Sequence, residues 1–170
     1  IAQALSNAKA NVIITSRNKK NISDTMKVLN EKSYGYNLDL TKSKNLDILY
    51  SKIKKRYKKV DILVNNIGHT LNIKDPFAPI QDWSKVLELN FLTAVNVNNK
   101  FIKDMKKTNW GRIINITSIA GLEISGPSTF NVSKAALTAY TRSVGRQLAV
   151  EKRNIVMTAV APGIIPTENG

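Results

Sequence analysis

Two observations predict an α/β fold built on a doubly wound parallel sheet. Short β-branched apolar runs alternate with stretches of helical apolar spacing along nearly all of the 170 residues. Polar residues also follow directly on several of the predicted strands. Strands that alternate with helices lie parallel and are joined by right-handed crossovers, and such sheets bind ligands beyond the carboxyl ends of their strands. The predicted architecture is therefore of the Rossmann type.

Composition bounds the size and class of the protein. With 42% hydrophobic residues, the chain is long enough for one domain, residues 1–170, with a real core. It contains no cysteine and one histidine, so we expect no disulfide, no thiolate chemistry and no metal site. No apolar run reaches the length of about 18 residues that a membrane span needs, so we expect a cytoplasmic protein that does not enter a membrane.

The net charge of +14 raises the question of a nucleic-acid partner. The lysines, however, are scattered over predicted helix faces, with one denser run at 52–59. No aromatic residues are interleaved with them as platforms for base stacking. We therefore expect a solvated, lysine-rich surface and no nucleic-acid binding.

The first half of the chain alternates between strand and helix patterns. The apolar run at 11–15 predicts a buried strand, and a helix follows with Asn21 or Ser23 as its cap. A weaker strand is predicted at 34–40. The next helix is marked by apolar residues at helical spacing, namely Leu46, Leu49, Ile53 and Tyr57.

The second half continues this alternation. Strands are predicted at 60–64, 112–117 and 154–160, with long helices at about 81–105 and 127–151 between them. The inner face of the last helix is predicted from one apolar stripe, in which a small residue allows close approach: Ala136, Tyr140, Val144, Gly145 and Leu148.

Unusual residues come at the carboxyl ends of the predicted strands. They are the polar residues Arg17, Asp39, Asn65, Asn66 and Ser118, and the turn formed by Pro162 and Gly163. These ends meet at one edge of a parallel sheet, so the shared location predicts a ligand site there. The alternative for each residue is an ordinary turn or cap. Asn90 is a separate case, because it falls on the buried stripe of a helix and its amide needs partners there.

The stretch from Arg112 to Lys134 resembles the short-chain dehydrogenase/reductase family. Its strand ends in Thr117 and Ser118, and the following helix carries Phe130 and Lys134 one turn apart. The family signature places a Ser after this strand, followed by Tyr-x-x-x-Lys. This sequence has the Ser and the Lys but carries Phe in place of the Tyr.

The resemblance implies the following catalytic roles. Asn90 matches the active-site Asn that holds a water in a proton relay, and Ser118 matches the Ser that orients the substrate. Lys134 matches the Lys that binds the nicotinamide ribose and lowers the pKa of the neighbouring Tyr. Phe130 occupies the position of that Tyr.

The resemblance also implies cofactor contacts. The element from Asn65 to Gly68 resembles Asn-Asn-Ala-Gly, which stabilises the central sheet and lines the adenosine side of the cofactor. Asp39 matches the Asp that contacts the adenine ring. Pro162 and Gly163, with Thr167 after them, are similar to the turn that brackets the nicotinamide carboxamide.

The choice of cofactor is predicted from Ser16 and Arg17, which follow the strand at 11–15. An acidic residue at this point would bind the ribose 2′-hydroxyl and repel a 2′-phosphate, whereas an Arg favours the phosphate. The sequence has no acid there, so NADP(H) is preferred over NAD(H). The alternative is an Arg that only solvates a turn.

Phe130 leaves the reaction without its usual proton donor, and losing a general acid typically costs 10²–10⁴-fold in rate. Ser118 is a poor acid, Tyr140 lies on a packing stripe, and Ser133 has a short side chain. Histidine is a residue type suited to proton transfer, which makes His69 a candidate, although a lone His near a turn is more often structural.

We therefore predict an oxidoreductase acting on a carbonyl or secondary alcohol, similar to the 3-oxoacyl reductases. The alternative is a catalytically silent relative that binds nucleotide or serves as a subunit partner.

The resemblance further predicts that the chain is an interior piece of a longer protein. The family's first strand would precede Ile1 and lie between the strands at 11–15 and 60–64, and substrate-specifying segments would follow Gly170. The piece alone is therefore expected to fold poorly. Family members also pair through their two long helices, which predicts a homodimer or homotetramer.

Overall fold

The computed structural model describes residues 1–123 and 125–164. By its contacts the chain divides into two compact units, Ile1–Lys52 and Ile53–Gly170. Each contains parallel strands connected by helices, which confirms the predicted α/β class. Thr167 falls outside the described residues.

The first unit contains a two-stranded parallel sheet with helices before, between and after its strands. Its elements are α1 (Ala2–Asn7), β1 (Ile13–Ser16), α2 (Lys19–Met26), β2 (Tyr34–Asn37) and the start of α3 (Ser43–Tyr57), within which the unit boundary falls. Ile13 lies opposite Tyr34 and Ser16 opposite Asn37, so β1 and β2 end at the same edge.

Helix α2 begins earlier than the cap at Asn21 or Ser23 that we predicted. The cap is Asn18, whose Oδ1 accepts hydrogen bonds from the backbone N–H groups of Lys20 at 2.8 Å and of Asn21 at 3.3 Å. The side-chain amide oxygen becomes available in the first turn after β1, so the helix forms at once.

The second unit contains a three-stranded parallel sheet in the order β3-β4-β5. Its elements are the rest of α3, β3 (Ile62–Asn65), α4 (Ile80–Leu87), a π-helical turn (Glu88–Leu92), α5 (Thr93–Thr108), β4 (Gly111–Ile116), a short 3₁₀ turn (Ile119–Gly121), α6 (Ser128–Val150) and β5 (Ile155–Val160). The central strand is β4. Its inward side chains pack with those of α5, α6 and β5 in a buried cluster: Met105, Ile113, Leu148, Ile155 and Met157.

The predicted helix at 81–105 is one helical run interrupted by the π turn. Asn90 lies in that wider turn and is 1% exposed. Single π turns inside α-helices occur frequently at functional sites.

The buried face of α6 differs from the predicted stripe. The residues that it buries are Thr129, Ser133, Lys134, Leu137, Thr141 and Leu148, whereas Ala136, Tyr140 and Val144 are only partly buried. Hydropathy misplaces the stripe because several of the residues turned inward are polar. The role of Gly145 is confirmed, because a Cβ there would lie 2.9 Å from the carbonyl oxygen of Met157.

Candidate functional site

Lys134 projects from the second turn of α6 toward the carboxyl end of β4. Its Nζ donates a hydrogen bond to the backbone carbonyl of Ile116 at 3.0 Å, and the residue is 4% exposed. Burial disfavours the charged ammonium and lowers the pKa of Lys134 to about 8. The site therefore contains a buried cation that gives up its proton more readily than an ordinary lysine.

Phe130 lies one turn before Lys134 on the same helix. Its ring centroid is 5.6 Å from Lys134 Nζ, so the cation lies near an aromatic ring rather than near a hydroxyl group. Phe130 is partly buried and contributes no proton to exchange. The predicted pair is thus brought together, with an apolar side chain at the position of the expected donor.

Asn90 holds the loop that follows β3. Its Oδ1 accepts the backbone N–H of His69 at 2.9 Å, and its Nδ2 donates to the carbonyl of His69 at 2.9 Å. The same Nδ2 donates to the carbonyl of Val86 at 2.9 Å within the helix. The buried amide that needed partners therefore finds them in the loop beside Gly68.

Gly68 is the point where this loop meets Lys134. A Cβ at Gly68 would lie 2.9 Å from Lys134 Nζ and 3.1 Å from Asn90 Oδ1. Both distances are shorter than ordinary van der Waals contacts, so a side chain at this position would force the Lys134 ammonium or the Asn90 amide to shift. Gly68, Asn90 and Lys134 come from three separate elements and lie next to one another.

Ser118 begins the loop between β4 and α6. Its Oγ accepts the backbone N–H of Ala120 at 3.1 Å, which caps the short 3₁₀ turn. The next residue, Ile119, donates its N–H to the carbonyl of Pro162 at 3.0 Å. The Ser118 loop and the segment with Pro162 and Gly163 are therefore joined through backbone.

A buried amide network lies behind these residues, and the sequence analysis missed most of it. Asn65 Nδ2 donates to Asn98 Oδ1 at 2.7 Å and to Asn115 Oδ1 at 2.8 Å. Asn115 Nδ2 donates to Thr141 Oγ1 at 2.9 Å. The network links β3, α5, β4 and α6. The available signal was an asparagine in the middle of an apolar strand, since a buried amide there must find partners.

Two of the substitute donors considered from sequence have other roles. Ser133 is 0% exposed and its Oγ donates to the carbonyl of Phe130 at 2.7 Å, so its hydroxyl group is used within the helix. His69 has an exposed side chain whose Nδ1 accepts the N–H of Leu71 at 2.8 Å, which shapes the loop.

The first unit carries the other predicted residues at the ends of β1 and β2. Ser16 Oγ accepts the N–H of Asn18 at 3.1 Å, and Arg17 is exposed. Asp39 Oδ1 accepts the N–H and the hydroxyl of Thr41 at 3.1 and 2.8 Å. Burial alone would raise the pKa of Asp39, but these hydrogen bonds and the nearby charge of Arg17 outweigh it and lower the pKa. Asp39 is therefore ionised at neutral pH.

The hydrogen-bond donors of Lys134 suit the role in ribose binding that the resemblance implies for this residue. An ammonium has three N–H donors, and Ile116 accepts one of them. The remaining donors suit a ligand with hydroxyl groups, as does the space beside Gly68, Asn90 and Lys134, which we call the cradle.

In residues 1–123 and 125–164, no three His, Asp or Glu side chains are grouped closely enough to hold a metal ion. Over the same residues, no helix is both long and apolar enough to cross a bilayer.

Comparison with known proteins identifies relatives along the whole chain. The family model described as short chain dehydrogenase matches residues 1–170. The 3-oxoacyl-[acyl-carrier-protein] reductase of Aquifex aeolicus is 32% identical over 173 residues, which cover 99% of this chain and 69% of that protein. The reductase of the same name from Haemophilus influenzae is 30% identical, again over 99% and 69% of the two chains.

Solved structures give the same result. A short-chain dehydrogenase from Streptomyces avermitilis superposes with a TM-score of 0.89 at 25% identity, over 99% of this chain and 62% of that one. A Tyr-to-Phe variant of ElxO with NADPH bound has a TM-score of 0.85 at 31% identity, over 99% and 70% of the two chains. The chain thus spans about two thirds of the length of these relatives.

Proposed function

The chain belongs to the short-chain dehydrogenase family of oxidoreductases, and we propose that the full-length protein uses NADP(H) to interconvert a carbonyl compound and a secondary alcohol. The observation that carries this proposal is the meeting of Lys134, Asn90 and Gly68 at the carboxyl ends of the strands. When bound, the nicotinamide supplies or accepts the hydride. Lys134 would bind the ribose of the cofactor, and Ser118 would orient the substrate oxygen.

Two observations support NADP(H) as the cofactor. Arg17 is an exposed cation in the turn after β1, and no acidic residue replaces it there. ElxO, which is 31% identical to this chain, has been solved with NADP bound. A guanidinium favours a 2′-phosphate over a 2′-hydroxyl because it pairs with the phosphate through charged hydrogen bonds.

A 3-oxoacyl thioester is the first substrate class to test, because the relatives at 32% and 30% identity are 3-oxoacyl-[acyl-carrier-protein] reductases. The experiment measures NADPH oxidation by the full-length protein with 3-oxoacyl thioesters and with simple ketones. Turnover of either class supports the oxidoreductase. Binding of NADPH without any turnover would contradict it.

Phe130 favours a second candidate function, a protein that binds the dinucleotide but does not turn over. A Tyr-to-Phe variant of ElxO holds NADPH, so in that protein the loss of one phenol is compatible with binding. If the wild-type protein is inert while Phe130→Tyr gains reductase activity, the binding role becomes the better explanation.

We also propose that the protein pairs through α5 and α6. Ala135 and Ala139 of α6 are exposed and small, which permits close packing against another helix. Gly145 is not needed for pairing, because it serves the contact with Met157. Light scattering on the full-length protein, with Ala139→Arg as the disrupting variant, tests this: a mass that Ala139→Arg leaves unchanged would contradict pairing at this face.

A further inference from the structure

We propose that Lys134 itself donates the proton to the carbonyl oxygen of the substrate, in place of the hydroxyl group that Phe130 lacks. This inference rests on the proposed reductase function. It assigns to Lys134 a chemical step in addition to its binding role.

The surroundings of Lys134 leave its ammonium able to act as an acid. Among residues 1–123 and 125–164, Nζ makes one hydrogen bond, to the carbonyl of Ile116, and the residue is 4% exposed. Among the ion pairs of the described residues, none includes Lys134. A buried ammonium without a carboxylate loses its proton more easily than a solvated one, which the lowered pKa of about 8 reflects.

No other titratable side chain faces Nζ from the elements described around it. The loop after β3 contributes Gly68, the π turn contributes the amide of Asn90, and β4 contributes a backbone carbonyl. Phe130 on its own helix contributes an aromatic ring. The pH dependence of the step should therefore follow a single group.

The alternative donors fit the step less well. Ser133 is buried and donates to the carbonyl of Phe130. Tyr140 packs edge-on against Phe91, with ring centroids 6.0 Å apart, beside the core cluster. His69 uses Nδ1 as an acceptor for Leu71, so protonation at that atom would break the loop contact.

The proton balance of the step is simple. An O–H bond forms on the substrate oxygen while an Nζ–H bond of Lys134 breaks, and the electron pair of that bond stays on nitrogen. Lys134 becomes a neutral amine, which takes a proton from water before the next turnover. Reduction therefore requires the protonated form and should be lost as the pH rises through about 8.

The first test compares two independent readouts on the full-length protein. Competitive labelling with acetic anhydride, read on the Lys134 peptide by mass spectrometry, gives the pH at which this amine becomes nucleophilic. The pH dependence of kcat for NADPH-driven reduction gives the pH at which the acid is lost. We expect both midpoints near 8. A labelling midpoint above 10, or a kcat midpoint that differs from it by more than one pH unit, would overturn the proposal.

The second test uses Lys134→Arg, which keeps the positive charge but does not release a proton in the working pH range. We expect kcat to fall 10²–10⁴-fold, with a smaller change in the KM for NADPH. Adding Phe130→Tyr to Lys134→Arg supplies a phenol, and the double variant should have a kcat at least tenfold higher than that of Lys134→Arg alone. His69→Gln is the matched control and should leave the pH midpoint where it is.

The outcomes separate this inference from the proposed function. If the protein turns over but Lys134→Arg retains kcat, or if His69→Gln moves the pH midpoint, the enzyme stands and the donor is another group. If NADPH binds and no carbonyl compound is reduced at any pH, the proposed function and this inference both fail.

Discussion

Two clusters of buried polar side chains lie in the second unit, and they differ in how fully they are hydrogen-bonded. In the amide network, Asn115 pairs through its oxygen with Asn65 and through its nitrogen with Thr141. Around Lys134, the one hydrogen bond that Nζ makes within the described part of the chain goes to Ile116. Both clusters are shielded from water. The first is built only from contacts within the chain, whereas the second retains donors for a ligand.

This difference distinguishes buried polar groups that stabilise the fold from buried polar groups that serve a function. A buried polar group that is fully paired helps to specify the packing, and removing one partner leaves the others without a hydrogen bond. A buried charge that is incompletely paired costs stability, and such groups occur where a ligand or a reaction uses them. The two clusters should therefore respond to mutation in opposite directions.

The largest effect is expected from Asn115→Leu, which removes both halves of the network's central amide. The variant leaves Asn65 and Thr141 with fewer partners in a buried setting, so we expect a loss of about 3 kcal/mol in the free energy of unfolding. Urea titration of the full-length protein measures this change. Asn96→Leu, at an exposed position on α5, is the matched control and should change stability by less than about 0.5 kcal/mol. Equal losses of stability in the two variants would show that the buried amide network contributes no more to folding than an exposed amide does.

The opposite sign is expected from Lys134→Met. The pKa of Lys134 lies at about 8 in the folded chain against an ordinary 10.5, so between these values the unfolded chain binds more protons. Wild-type stability should rise with pH through this window, and below pH 8 the full cost of burying the charge is present. We expect the variant to be more stable by about 2 kcal/mol at pH 7, with the gain shrinking toward pH 10.

Urea titrations at several pH values, expressed as the difference between variant and wild type, measure this effect. Lys103→Met, at an exposed position, is the control and should give a difference near zero at every pH. A Lys134→Met variant that is less stable than wild type at pH 7 would show that the buried ammonium does not destabilise the folded protein.

A smaller effect is expected from Gly68→Ala, which tests the space beside Nζ. The new Cβ would lie 2.9 Å from Lys134 Nζ and 3.1 Å from Asn90 Oδ1, so one of these side chains must shift. We expect roughly tenfold weaker NADPH binding, measured by fluorescence titration, or about 1.4 kcal/mol. Asn96→Ala, at an exposed position on α5, is the control and should leave NADPH binding unchanged. Unchanged affinity in Gly68→Ala would mean that the ligand does not use this cradle.

The same contrast explains how much was predictable from sequence. Lys134 and Phe130 were identified through the resemblance to a family signature, and Asn90 also because it is a polar residue on a buried helical stripe. Asn98 and Thr141 were missed because their partners lie far away in the chain, and the local pattern does not reveal a pairing across 33 or 26 residues.

The start of α2 and the buried stripe of α6 were misplaced for related physical reasons. Asn18 became the cap because its amide oxygen is the first acceptor available after β1, ahead of the later polar residues that we favoured. In α6, Ser133 and Thr141 can be buried because their hydroxyl groups donate to backbone carbonyls of the same helix, which a hydropathy pattern does not take into account.

The smallest effect is expected from Arg17→Glu in the first unit, where the polar residues are open to solvent. Arg17 is exposed, so water screens its charge, and it should contribute less than a buried group. We expect the ratio of the NADH and NADPH dissociation constants to fall about threefold in the full-length protein, because a carboxylate repels a 2′-phosphate and accepts from a 2′-hydroxyl. Lys19→Glu, on the first turn of α2, makes the same change of charge and is the matched control. If both variants shift the ratio equally, the preference comes from the general positive field of the +14 chain and not from a specific contact at Arg17.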